Sequence, residues 1–116
     1  MKTRFLGRGV AAMAAGCLLA GVVSTAYAQD AKSVYDKNCA PCHGVSGKGD
    51  GPAGKVLKPP PQDLATALKG KSDAEIAKGI KEGGKAIGKA ASMPAYGKKL
   101  TDDQIKAQVE YIKGLK

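Results

Sequence analysis

Cys39, Cys42 and His43 stand in the run Cys39-Ala40-Pro41-Cys42-His43, and no other residues of the chain are better suited to chemistry. Three positions separate the two thiols, so one helical turn brings them to a common face. Each can then add to a vinyl group of one porphyrin, and the imidazole next in the chain is directed at the iron as proximal ligand. Cys-x-x-Cys-His is the attachment pattern of c-type haem. Two other chemistries use the same cysteine spacing, and the residue inventory disfavours both. A thioredoxin-like redox pair sits at a helix start after a strand, and no strand-like run precedes Cys39. A structural zinc site needs four protein ligands. His43 is the only histidine, and the remaining cysteine, Cys17, lies in a segment with the marks of removal.

An iron held by His43 has a second axial position to fill. With no other histidine, bis-histidine ligation within one chain is excluded. Met93 is the only methionine after Met1 and Met13. An isolated methionine ordinarily reads as adaptable core filler. This one lies in a Gly/Ala/Pro-rich loop 50 residues after His43, with Pro94 fixing the backbone beside it. A thioether opposite histidine also raises the reduction potential of the iron. Lys98 or Lys99 would substitute only on losing its proton.

The N-terminus reads as an export signal. Lys2, Arg4 and Arg8 form a basic start, Val10 to Val23 is apolar but broken by Gly16 and Gly21, and Ala26-Tyr27-Ala28 fits the small-x-small cleavage rule. The apolar run is shorter than the ~20 residues of a membrane span. Residues 1–28 are therefore expected to be a secretory signal peptide, and residues 29–116 one domain whose mature chain has no stable membrane insertion. Two alternatives are an uncleaved anchor and a lipobox at Ala14-Ala15-Gly16-Cys17, which lacks the usual large aliphatic residue. The 88 remaining residues hold neither Trp nor Phe, and Tyr35, Tyr96 and Tyr111 are their only aromatics. A chain this short usually needs a staple. A covalently held porphyrin would supply the missing flat apolar bulk, and the haem-free chain is expected to be largely unfolded.

The elements that must position these residues are helical. Asp30 to Cys42 reads as a first helix with Asp30 as N-cap. Gly44 to Pro61 is too rich in Gly and Pro for regular structure. Its Gly49-Asp50-Gly51-Pro52-Ala53-Gly54 matches a dinucleotide fingerprint only formally, since the strand that must precede it is missing. It reads instead as a loop wrapping one edge of the haem. Asp63 to Lys69 suits a short helix. Ser72-Asp73-Ala74-Glu75 is a capping box opening a helix with Ile76 and Ile80 inward and Gly83-Gly84 as its stop. Lys85 to Tyr96 is a second loose stretch. Thr101 and Gln104 form another capping box, Leu100 and Ile105 a hydrophobic staple, and Ile105, Val109 and Ile112 one helical face.

Tyr35 before the pentad, the pentad itself, the glycine-rich loop, Pro59-Pro60-Pro61-Gln62-Asp63-Leu64, Met93-Pro94-Ala95-Tyr96 and Tyr111-Ile112 in the last helix form a recognisable set. On these residues the chain resembles a monohaem class I cytochrome c of the bacterial periplasmic type, over nearly all of residues 29–116. The resemblance implies an all-α fold, three to five helices around one covalently bound haem with long Gly/Pro-rich loops. It implies first and last helices that cross beside the haem, with Tyr35 near Tyr111. It also implies a proline carbonyl accepting from the outer nitrogen of the proximal imidazole. Aromatic residues common around the haem of that family are scarce here.

The expected function is one-electron transfer in the periplasm, with iron cycling between Fe(II) and Fe(III). Cys39 and Cys42 would carry the thioethers, and His43 and Met93 the axial bonds. An enzyme or gas sensor with a displaceable Met93 is the contrasting reading, disfavoured because no further His or Arg remains to assist bond cleavage. A haem subunit fixed in a larger oxidoreductase is another.

Charge points to the partner. Beyond residue 28 stand 16 lysines and no arginine against 10 acids, a net +6. Nucleic-acid binders favour Arg, and single-strand binders add stacking aromatics, so nucleic acid is discounted. Scattered lysines suit a solvated surface, and they also suit steering toward redox partner proteins with acidic docking surfaces. Such attraction is screened over about 8 Å at physiological salt. Electron transfer to an acidic partner is thus expected to slow steeply with added salt, through the association rate, in stopped-flow measurements. A rate flat across the salt range would leave the lysines a solubility role only.

Overall fold

The computed structural model describes residues 19–115, with side chains from Tyr27 onward. Lys2, Arg4, Arg8, Cys17 and most of the expected apolar run lie outside the described residues. In chain order the helices are α1 (Leu19–Asn38), α2 (Ala40–His43), α3 (Leu64–Ala67), α4 (Asp73–Glu82) and α5 (Asp102–Lys113). Single 3₁₀ turns occupy Gly54–Val56 and Gly84–Ile87. Among the described residues there is no strand, which bears out the all-α expectation.

The two capping boxes are formed as the sequence requires. Ser72 Oγ accepts from the Glu75 amide at 3.2 Å, and the Glu75 carboxylate accepts from the Ser72 amide at 2.8 Å. Thr101 and Gln104 repeat the exchange at 3.1 and 2.9 Å to open α5. Asp63 caps α3 by accepting from the Ala65 amide at 2.9 Å. Gly83, at φ +96°, ends α4 in a conformation that costs glycine little. Ile76 and Ile80 from α4 meet Leu100, Ile105 and Val109 in the buried core, with Tyr96 and Ile112 packed against them. Lys81–Asp102 at 2.9 Å and Lys113–Asp73 at 2.7 Å also link α4 to α5, but both pairs are solvated and add little.

The helix α1 departs from the expected Asp30–Cys42 at both ends. It runs unbroken through Ala26-Tyr27-Ala28, so Asp30 is interior to a helix rather than its N-cap. Nothing between Val22 and Gln29 is Gly or Pro, and a helix once nucleated propagates through such residues. At the other end α1 stops at Asn38 and restarts at Ala40. Pro41 is the cause. Inside a continuous helix its ring would strike the Lys37 carbonyl and it would lack an amide to donate there. In the first turn of a new helix no intrahelical donor is needed.

The helices α1 and α5 cross. Tyr35, with no exposed surface, places its ring centroid 5.1 Å from that of Tyr111 at an interplanar angle of 45°. Near this crossing Gln108 is fully buried and its Nε2 donates to the Ala31 carbonyl at 2.8 Å, while its Oε1 has no partner. The capping hydroxyl of Thr101 should matter to α5 and hence to the crossing. Thr101→Ala is expected to lower stability by about 1 kcal/mol, read as a reduced denaturation midpoint with an unchanged m-value.

Candidate functional site

Cys39 occupies the joint between α1 and α2, at φ −112° and ψ −45°. Its carbonyl accepts from the Cys42 amide at 3.2 Å and the His43 amide at 2.9 Å, which folds the pentad into one turn. Gly44, at φ +82°, ends that turn. Its carbonyl accepts from the Tyr35 phenol at 2.7 Å, a buried bond that ties the turn to the helix crossing. Burial, then the nearby Cys39, pushes the Tyr35 phenol up to about 12, so it remains a donor.

The first long loop packs on the backbone of the turn. The Ala53 amide donates to the Pro41 carbonyl at 2.9 Å and the Gly49 amide to the His43 carbonyl at 2.8 Å. The Leu64 amide closes the loop onto the Gly47 carbonyl at 2.7 Å. Gly51 lies so close that a Cβ there would stand 2.6 Å from the Ala40 oxygen and from the Cys42 carbonyl carbon. Gly54 is similarly confined beneath Cys42. The sequence placed this loop around a haem edge, and these contacts are with the polypeptide.

The chemistry-bearing groups are in usable states. Cys39 and Cys42 are half-buried and not joined in a disulfide. Burial, with a smaller effect of Cys42, pushes the Cys39 thiol up to about 11, so it is protonated at neutral pH. Burial also holds the His43 imidazole below its ordinary value, leaving it neutral as a metal ligand must be. Its Nδ1 is buried with no hydrogen-bond partner. The proline carbonyl implied by the resemblance is therefore not bonded to it in this structure. The Pro41 carbonyl is engaged by Ala53, and that of Pro61 lies against Gly49.

Met93 is half-buried in the second loop. Its amide donates to the Ala90 carbonyl at 3.2 Å and its carbonyl accepts from the Gly84 amide at 3.1 Å. Gly84 leaves room for it, since a Cβ there would lie 2.9 Å from Met93 Cβ. Three residues on, the Tyr96 phenol donates to the Asn38 carbonyl at 2.9 Å, joining this loop to the residue before Cys39. Lys98 and Lys99 are exposed, and Lys99 Nζ lies over the Tyr96 ring at 5.6 Å. The structure thus gathers Cys39, Cys42 and His43 on one turn and links the Met93 loop to it through Tyr96. Sequence reasoning missed Gly51, Gly54, the Tyr96 phenol and Gln108. Only Gln108 carried a signal, being three positions after Ile105 and four before Ile112 on the same helical face.

Paired thiols and a neutral imidazole on one turn of an all-helical chain define a c-type haem protein. The Cytochrome c family model matches residues 28–116, and the chain belongs to that family. It is 36% identical over 90 residues to the Cbb3-type cytochrome c oxidase subunit CcoP of Azospirillum brasilense, covering 78% of this chain and 29% of the relative. It is 36% identical over 85 residues to the same subunit of Azospirillum sp. (strain B510), covering 72% of this chain and 27% of the relative. The chain thus spans less than a third of the curated relatives it matches. Family membership makes this a covalent haem c protein with iron, active in electron transfer. The residues present fit that group. A buried nitrogen without a partner costs about 1–3 kcal/mol, and a bond from the other ring nitrogen of His43 to the haem iron would offset that cost.

Gly51→Ala tests the packing of the loop on the turn. The added methyl must displace backbone rather than a flexible side chain. Loss of about 1–3 kcal/mol is expected, with a lower ratio of haem absorbance to polypeptide in the purified protein.

Proposed function

We propose that this chain is an exported carrier of single electrons, held to its haem by thioethers at Cys39 and Cys42 and to the iron by His43 and Met93. When bound, the haem supplies reversible exchange between Fe(II) and Fe(III). The chain supplies attachment, orientation and exclusion of solvent. The observation that carries this reading is the turn itself: two thiols free of a disulfide, a neutral half-buried imidazole, and a hydrogen-bonded link through Tyr96 to the loop of the only methionine after residue 28. Against Lys98 or Lys99 as the sixth ligand stands their exposure to solvent. With both axial positions filled by the protein, no substrate meets the metal, and the chain acts as a carrier rather than an enzyme.

Export follows from the signal read in residues 1–28, with Gln29 as the first mature residue and the periplasm as destination. No helix among the described residues is long and apolar enough to cross a membrane. Lys48, Lys55, Lys58, Lys98 and Lys99 are all exposed, as are Val45 and Val56. Exposed lysines and apolar side chains suit brief association with an acidic redox partner. A second reading draws on the relatives, which are oxidase subunits: the domain would then serve as a fixed haem module of a larger oxidoreductase.

The test is spectroscopic. Haem in protein exported by a cell with haem-ligation machinery should survive acid and solvent extraction. The ferric protein should show the weak red charge-transfer band of iron–thioether ligation, and Met93→Ala should abolish it and lower the reduction potential. Carbon monoxide should bind the ferrous wild type poorly and the variant readily. Immediate binding by wild type would favour a gas site over a carrier, and extractable haem would remove the attachment reading altogether. Co-purification at a mass well above the monomer would favour the fixed subunit.

A further inference from the structure

The break between α1 and α2 leaves one carbonyl in an unusual position. In a continuous helix the Asn38 oxygen would accept from the Cys42 amide. Here that amide turns to Cys39 instead, at 3.2 Å. Position 41 is proline and offers no donor. The Asn38 oxygen receives its hydrogen bond from the Tyr96 phenol, 58 residues away in sequence, at 2.9 Å.

The rest of Tyr96 is equally engaged. Its amide donates to the Ile80 carbonyl at 2.8 Å, and its own carbonyl accepts from the Lys99 and Leu100 amides, both at 2.9 Å. The Gly97 amide donates to the Lys81 carbonyl at 3.0 Å. These bonds fix the segment after Met93 to the end of α4, while the ring packs on the core. The phenol alone reaches the Cys39–His43 turn. A phenylalanine would fill the same apolar space, so the hydroxyl is there for the bond and not for packing. Burial, and then Cys39 and Cys42, raise the phenol above its ordinary value and keep it a donor.

We infer that Tyr96 is a positioning residue for the sixth ligand: its phenol clasps the Met93 loop to the carbonyl left free beside Cys39, and so governs how readily Met93 leaves the iron. This rests on the reading of Met93 as that ligand. Removing the hydroxyl should leave the bound arrangement in place but raise the population of the open loop. One lost hydrogen bond shifts such a population by roughly five- to tenfold.

The experiment uses the holoprotein and its Tyr96→Phe variant. The variant should keep the red thioether band, yet bind carbon monoxide in the ferrous form roughly five- to tenfold faster, since entry waits on Met93 departure. Amide exchange should quicken at residues 96–100 while the amides of α5 keep their protection. Val109→Ala, which thins the core from α5, serves as a control and should lower global stability without either effect. If Tyr96→Phe behaves like that control, with carbon monoxide binding and exchange at 96–100 unchanged, the clasp is refuted and the phenol is an ordinary core contact. Met93→Ala separates the two layers of the argument. A red band missing from wild type, or surviving Met93→Ala, refutes Met93 as ligand and the positioning role with it. A band lost in Met93→Ala beside an unaltered Tyr96→Phe refutes the clasp alone.

Discussion

Helical backbone is interrupted twice within six residues, at Cys39 and at Gly44, and the carbonyls this leaves without helical partners organise the molecule. Three of them take donors from distant parts of the chain, which satisfies acceptors that a continuous helix would satisfy internally. Asn38 takes the Tyr96 phenol, Pro41 the Ala53 amide and His43 the Gly49 amide. Three separate parts of the two long loops are thereby anchored on one short turn. Pro41 is the origin of the first interruption, since no continuous helix accepts it there, and Gly44 supplies the second through its positive φ. Cys39 stands at the first of these interruptions, and Cys42 and His43 lie between the two.

The turn needs a rigid base, and the crossing of α1 and α5 provides it. Tyr35 serves both functions, its ring against Tyr111 and its hydroxyl on the Gly44 carbonyl. An aromatic pair of this kind contributes about 0.5–1.5 kcal/mol beyond area burial. In a domain with few aromatic residues such a contribution is a sizeable share of the total. Gln108 near the same crossing is a different case. Its amide nitrogen is bonded and its oxygen is not, so its burial brings specificity of alignment with Ala31 rather than much net stability. Beneath α4 and α5 the core is aliphatic and small, which suits a family that adds a large flat apolar cofactor to its interior.

Surface and interior divide the work of an electron-transfer protein cleanly. The interior holds a neutral imidazole and protonated phenols, groups whose charge burial suppresses. The surface carries the lysines, and the ion pairs among them are exposed and individually weak. Positive charge is thus available for long-range attraction without being committed to the fold. Lysine suits that use, being a hydrated point charge on a flexible stem rather than a bidentate lock.

Local rules made much of this structure readable in advance. The attachment pentad, both capping boxes, the inward face of Ile76 and Ile80 and the stripe of Ile105, Val109 and Ile112 depend on residues within one or two turns of each other, where spacing alone fixes the outcome. The family resemblance added the pairing of Tyr35 with Tyr111, which no local rule contains. The upstream extent of α1 is not legible from Asp30, whose capping signal acts only where a helix begins; from Val22 to Gln29 no Gly or Pro interrupts the chain, and the helix runs through. Tertiary structure alone decided the rest. Gly51 looked like one glycine among many, but the backbone of Ala40 and Cys42 leaves it no room for a side chain. Tyr96 looked like an aromatic of the second loop, but a carbonyl set free 58 residues earlier gives its hydroxyl a partner. Sequence spacing determines which groups can act together on one turn, whereas hydrogen-bond demand and excluded volume between distant segments exist only once the chain has folded back on itself.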